Sequence, residues 1–127
     1  MTDEKGLVVM SEAHTLLPDQ ERVLNATFSN GWERFDVPAD GWTFEQMEDV
    51  HFHLQDLNEK SQTGLCVVFL SPVPALLKLC ILSSTLLDSP SSVLVFHNGK
   101  REAKEVPDGK GGRRLVHVVS ATGWQLV

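Results

Sequence analysis

Apolar and polar positions change period several times along the chain, and each change marks an element. Gly6 to Met10 (GLVVM) is an unbroken apolar run that ends in the polar Ser11-Glu12-Ala13-His14-Thr15, the form of a buried first strand. From Leu16 onward, Leu17, Val23, Leu24 and Phe28 fall near helical spacing. Pro18 suits the first helical turn and Asn30-Gly31 the stop, so a first helix is predicted there. Trp32, Arg34 and Asp36 alternate with Glu33, Phe35 and Val37 as in a second strand, which Pro38 ends. Thr43 followed three residues later by Gln46 is a reciprocal capping pattern, and it predicts a second helix running to about Lys60.

The second half opens with Leu65 to Leu70 (LCVVFL), a continuous apolar run of strand length. Such a run is expected of a central parallel strand covered on both faces. A third helix is predicted from about Val73 to Leu87, with Pro72-Val73-Pro74 at its start and Asp88 to Ser92 (DSPSS) closing it. Val93 to Phe96 reads as a fourth strand, followed by the turn His97-Asn98-Gly99-Lys100. Glu102 to Val106, the turn Pro107-Asp108-Gly109 and Leu115 to Val119 then read as an antiparallel hairpin. Cys66, Val68, Leu70, Val93 and Val95 are expected to be buried in adjacent central strands. Strands alternating with helices imply right-handed crossovers and a parallel sheet flanked by helices. The predicted fold is therefore α/β: one small Rossmann-like domain over residues 1–127 with a C-terminal antiparallel β-hairpin.

Composition agrees with one packed domain, since 42% of the 127 residues are apolar. Both cysteines, Cys66 and Cys80, lie within apolar runs and read as core thiols. The opening MTDEKG has no charged-then-apolar leader pattern, so the cytoplasm is the expected location. Leu65 to Leu87 is the longest apolar region, but Pro72, Pro74, Lys78 and Ser83-Ser84-Thr85 interrupt it, so no membrane span is expected. The net charge of −6 argues against coating long nucleic acid, an affinity that comes largely from displacing counterions. The distribution matters more. Residues 1–60 carry 13 acids against 4 bases, whereas Lys100, Arg101, Lys104, Lys110, Arg113 and Arg114 crowd into fifteen residues near the other end. A small anionic ligand there is compatible with the sequence.

In a doubly wound sheet, ligands bind past the carboxyl ends of the strands. That rule selects three segments: Ser11 to Thr15, Ser71 to Pro74, and His97 to Arg101. The first lacks the G-x-G-x-x-G fingerprint, and no G-x-x-x-x-G-K-[ST] loop occurs anywhere, which argues against NAD, FAD and ordinary ATP hydrolysis. It offers Ser11, His14 and Thr15 ahead of a helix N-terminus, whose unpaired N–H groups favour phosphate. The competing reading is that Ser11 or Thr15 merely caps the helix and His14 is exposed. His51 and His53 form an H-x-H pair, but residues two apart on a helix point about 200° from each other, so no shared metal and no cofactor is expected. There is no G-x-S-x-G elbow, and Glu45, Glu48, Asp49, Asp56 and Glu59 read as a solvated helix face. At HNGKREAK, Lys100 and Arg101 could neutralise phosphate and Asn98 could hydrogen-bond a base edge, alongside His97. The alternative there is a charged, soluble hairpin turn.

Taken in order, EAHTLLPDQ, RFDVPAD, FLSPVPALL and KREAKEVPDGKGGRRLVHV resemble small stand-alone CRISPR-associated proteins of type III systems. Those proteins have a reduced CARF-like fold. The resemblance spans nearly the whole chain through motifs that are each short. It implies a cyclic oligoadenylate ligand, cyclic tetra-adenylate first, gripped between two copies of the domain in a homodimer or larger homo-oligomer. It also implies ligand-binding roles for Ser11, Thr15, Ser71, Val73, His97, Asn98, Lys100 and Arg101. Some members cut the messenger and others only sequester it, so enzymatic activity stays open. Cutting needs no metal, because a ribose 2′-OH held in line can attack the adjacent phosphate. His14 is the candidate general acid or base, with Lys100 or Arg101 stabilising charge. The competing function is a protein-interaction module with no nucleotide ligand.

Overall fold

The computed structural model describes residues 2–71, 73–86 and 92–127, with the backbone alone at 84–86. In chain order the elements are β1 (Lys5–Ser11), α1 (Pro18–Thr27), β2 (Trp32–Val37), α2 (Phe44–Lys60), β3 (Leu65–Phe69), α3 (Pro74–Leu86), β4 (Ser92–His97), β5 (Arg101–Pro107), β6 (Arg113–Val119) and β7 (Gln125–Leu126). The first four strands are parallel and β7 runs antiparallel beside β4, giving one sheet in the order β2-β1-β3-β4-β7. The hairpin β5-β6 forms a separate antiparallel pair. This is the α/β architecture that the alternation of apolar runs and amphipathic segments predicts.

Period-two geometry explains why β1 and β3 are apolar without alternation. Leu7, Val9, Leu65, Val67 and Phe69 point to one face and pack with Leu54 of α2 and with Leu76 and Cys80 of α3. Val8, Met10, Cys66 and Val68 point to the other and meet Leu24 and Phe28 around α1. Both faces of each strand are therefore covered, so a polar residue at any of these positions would lose its water without gaining a partner. Gly6 is required for packing, since a Cβ there would lie 2.8 Å from the Phe28 ring.

Local signals set the helix ends. Thr43 Oγ1 accepts from the Gln46 N–H at 3.2 Å, and Gln46 Oε1 accepts from the Thr43 N–H at 2.9 Å, so α2 starts where the capping pattern places it. Pro18 occupies the first turn of α1, as expected. Pro72 and residues 88–91 of the predicted closing segment Asp88 to Ser92 lie outside the described residues, and Ser92 opens β4. Val93 and Val95 are half-buried against the α2/α3 core, and Leu70 half-buried beside the α1 core, where full burial was expected. β7 pairs in the sheet with the end of β4, at Phe96 and His97. β7 itself has no counterpart in the sequence reading. Among the described residues, no helix is long and apolar enough to cross a membrane.

Candidate functional site

The chain steps from β1 outward to β2, then crosses back past β1 to β3, so the winding direction reverses between β1 and β3. At such a reversal the loops leave toward opposite faces and a crevice opens at the carboxyl ends of the strands. Ser11 ends β1 there and Ser71 follows β3. The Ser11 N–H donates to Ser71 Oγ at 2.8 Å, which ties the two loops across the crevice mouth. Leu70 and Ser71 N–H groups both reach the carbonyl of Val9, continuing the ladder past the end of β3.

His14 sits in the β1 loop, which is held on two sides. Its own N–H donates to the Ser11 carbonyl at 2.9 Å. The Arg34 guanidinium, on β2, donates to the carbonyls of His14 at 3.1 Å and Ser11 at 3.3 Å while Asp36 binds its Nε. The loop is thus braced by an arginine clamp, and His14 is half-buried with its Nε2 shielded from solvent and without a hydrogen-bond partner. A buried polar atom left unpaired costs about 1–3 kcal/mol, and the indole N–H of Trp124 is in the same state. Thr15 is exposed beside His14. Neither Ser11 nor Thr15 caps α1, which corrects the competing reading of this segment. The residue before the helix is Leu17, and its N–H is satisfied instead by Gln20 Oε1 at 3.0 Å, while Ser11 Oγ accepts from the Ala13 N–H.

Beyond Ser71, a cavity of about 260 Å³ opens between the ends of β3 and β4 and the start of α3. Phe69, Leu70, Val73, Pro74, Leu77 and Phe96 supply an apolar lining, with Ser71 at its polar rim. That is near the lower end of small-ligand pockets, a space for one flat ring rather than for a whole nucleotide. The Val73 side chain is buried in the core, and its carbonyl accepts the first helical bond of α3 from Leu77.

No protein-family model matches the chain, and neither a curated protein nor a solved structure matches it. The chemistry of the site rests on its own residues.

At the end of β4 the arrangement differs from the expectation. Asn98 is buried, and its amide hydrogens donate to the carbonyls of Ser120 at 3.0 Å and Thr122 at 2.9 Å, while Oδ1 accepts from the Lys100 N–H at 2.9 Å. Both donors are spent on backbone, so the expected contact of Asn98 with a base edge gives way to a structural role: it fastens the base of the hairpin. Arg101 donates to the carbonyls of Asn98 and Lys100 through one nitrogen, and Lys100 reaches Thr122 Oγ1 at 3.5 Å. Both side chains stay exposed, as does His97, and keep N–H groups for an anion. With strands about 4.8 Å apart, the end of β4 lies roughly 10 Å from that of β1, so the structure groups Ser11, His14 and Ser71 closely and sets His97, Lys100 and Arg101 at the other side of the cavity.

Two contributors have no signal in the sequence. Arg34 looks like an outward charge on an alternating strand, and only the fold shows that it spans to the β1 loop. Glu102 accepts from the buried Ser120 Oγ at 2.6 Å and helps to fix the hairpin base. His51 and His53 hold no metal-binding cluster between them; among the described residues no three potential ligands converge. His51 instead contacts Ser83 Oγ across the α2/α3 seam, where burial lowers the imidazole pKa, and His53 lies near the Phe35 ring.

Proposed function

We propose that this protein binds a cyclic oligoadenylate, cyclic tetra-adenylate first, and lowers its level by sequestration or by slow metal-independent cleavage, damping type III CRISPR signalling. One observation carries the reading: at the winding reversal, the β1 loop is tied to Ser71, and the His14 Nε2 in that loop is shielded and has no hydrogen-bond partner. The order of short motifs along the chain supports the choice of ligand. In this reading an adenine ring enters the apolar cavity beside Ser71, backbone N–H groups of the β1 and β3 loops meet phosphate oxygens, and Lys100 and Arg101 balance the remaining charge. A ring with internal two-fold symmetry fits two copies of the domain, each giving the same loops. One copy offers too little concave surface to enclose it.

Cleavage, where it occurs, forms a bond from the ribose 2′ oxygen to phosphorus and breaks the bond from phosphorus to the 5′ oxygen. His14 either takes the 2′ proton while water protonates the leaving 5′ oxygen, or protonates that oxygen while water takes the 2′ proton, and Lys100 or Arg101 offsets the charge on the phosphoryl oxygens. The recognition groups are more evident than any paired acid and base, so binding outweighs turnover in this proposal. The test mixes excess protein with labelled cyclic tetra-adenylate in EDTA, follows binding by calorimetry, and separates cyclic from linear products over hours. Micromolar or tighter binding is expected. Absence of heat and of any mobility shift at high ligand concentration overturns the proposal.

A further inference from the structure

Among the described residues, β5 and β6 pair only with each other. A two-stranded hairpin standing alone in water is marginally stable, and a third strand is what such a pair lacks. The phase of the ladder tells which main-chain groups face outward. The Ser120 N–H donates to the Lys100 carbonyl at 3.0 Å and the Asp108 N–H to that of Gly112 at 3.1 Å, so the even-numbered pairs between them are the hydrogen-bonded ones. Arg113, Leu115, His117 and Val119 of β6 therefore turn their N–H and C=O groups away from β5, and the odd-numbered residues of β5 turn theirs away from β6.

The two outer edges are unlike. On β5 the outward Pro107 has no N–H to offer, and Glu102, Lys104 and Glu105 set charge along the strand, the usual ways in which an edge is kept from pairing. Beyond the two arginines at its start, β6 has neither device. Its sequence RRLVHVV holds no proline and no acid, and Leu115 and Val119 are 61% and 45% exposed along it. Charge then selects what can lie beside this edge. A second β6 laid antiparallel, with residue 116 opposite its own twin, sets each arginine stem against Val118 or Val119 and holds like arginines about 14–20 Å apart, beyond the Debye length of about 8 Å. A parallel twin would bring them to about 5 Å. The same antiparallel register lines up all four outward residues, Arg113 with Val119 and Leu115 with His117, for about eight main-chain hydrogen bonds, and a slip of two residues either way loses about two of them.

We propose that β6 of one copy pairs antiparallel with β6 of a second copy about a two-fold axis at Val116, joining two hairpins into one four-stranded sheet. The contact uses the same surface on both copies and closes at two. It requires no nucleotide, which separates it from the binding reading above.

The test is sedimentation of the full chain without nucleotide at micromolar concentration, where wild type is expected as a dimer. His117→Pro removes an outward N–H and spares the ladder to β5, so it is expected to weaken association roughly tenfold or more. A cysteine probe answers the same question without depending on how well the proline variant folds. In a non-hydrogen-bonded pair at the axis, Val116→Cys places its Cα about 4.5 Å from its twin, within disulfide reach. Diamide, which takes up the two protons and two electrons of the thiols, is expected to join these copies covalently. Val118→Cys lies about 14 Å from its twin in this register and is expected to stay uncoupled. Cys66 and Cys80 are both buried, so neither competes. A monomeric wild type, undiminished association of His117→Pro, no coupling at Val116→Cys, or coupling at Val118→Cys as fast as at Val116→Cys overturns the proposal. A dimer that takes up no cyclic tetra-adenylate overturns the nucleotide reading alone.

Discussion

Burial decides the chemistry of both thiols. With little solvent to stabilise a thiolate, the Cys66 pKa is pushed up to about 12, by burial first and by the charge of Glu4 second, and that of Cys80 to about 11 by burial alone. At pH 8 an aromatic disulfide reagent is therefore expected to leave native protein unmodified and to titrate both thiols once denaturant is added; rapid native labelling would contradict it. The Gly6 position is set by volume. A methyl group there meets the Phe28 ring, which is itself locked in the core, so Gly6→Ala is expected to cost about 1–3 kcal/mol in urea unfolding, the usual cost of overpacking. At His51 the sign follows from burial without a counter-charge. Its folded pKa is depressed, so the unfolded chain binds the proton more readily, and stability is complete above the ordinary imidazole value and falls as pH drops through the depressed one. Thermal melts of wild type and His51→Gln between pH 7.5 and 5 check this. Wild type should lose more stability over that interval than the variant.

Elements were legible in the sequence where a local signal and burial agree. The Thr43 and Gln46 pair fixes the start of α2 without help from the rest of the fold, and losing it by Thr43→Ala is expected to cost about 1 kcal/mol. β1 and β3 were legible for a different reason: coverage on both faces leaves no polar alternation. β7 was not legible. Gln125–Leu126 is too short for a periodic pattern, and the approach to it depends on the Trp124 N–H donating to Asp19 Oδ2, a contact between residues 105 apart. That bond, together with Arg22, holds the Asp19 carboxyl below the ordinary carboxylate range. The site was half legible for the same reason. Strand ends can be counted from the sequence, so Ser11, His14 and Ser71 could be found, whereas the Arg34 clamp and the internal use of Asn98 arise only when distant strands are laid side by side.

Across the whole molecule, an acidic first half stands against a basic hairpin segment, so the proposed ligand would be an anion met at one end of a chain whose net charge of −6 repels it. Affinity must then come from a few positioned cations and N–H groups, and its salt dependence should be shallow. Replacing Lys100 and Arg101 together by alanine is expected to weaken cyclic tetra-adenylate binding and to flatten the salt slope further, since each lost phosphate contact removes a released counterion. Unchanged affinity would return the segment to a solvated turn. His14 separates the remaining alternatives. Its backbone is fixed by Ser11 and Arg34, so His14→Ala leaves the loop in place and removes only the imidazole. If the protein cuts the ring, single-turnover cleavage in EDTA should fall by about a hundredfold or more while binding stays within a few-fold, the pattern of a lost proton-transfer group. Equal loss of binding and cleavage would make His14 a recognition residue. An intact ring with wild type over the same hours would make the protein a sink for the messenger, with the shielded Nε2 serving as a hydrogen-bonding group that holds the phosphate instead of a group that moves a proton.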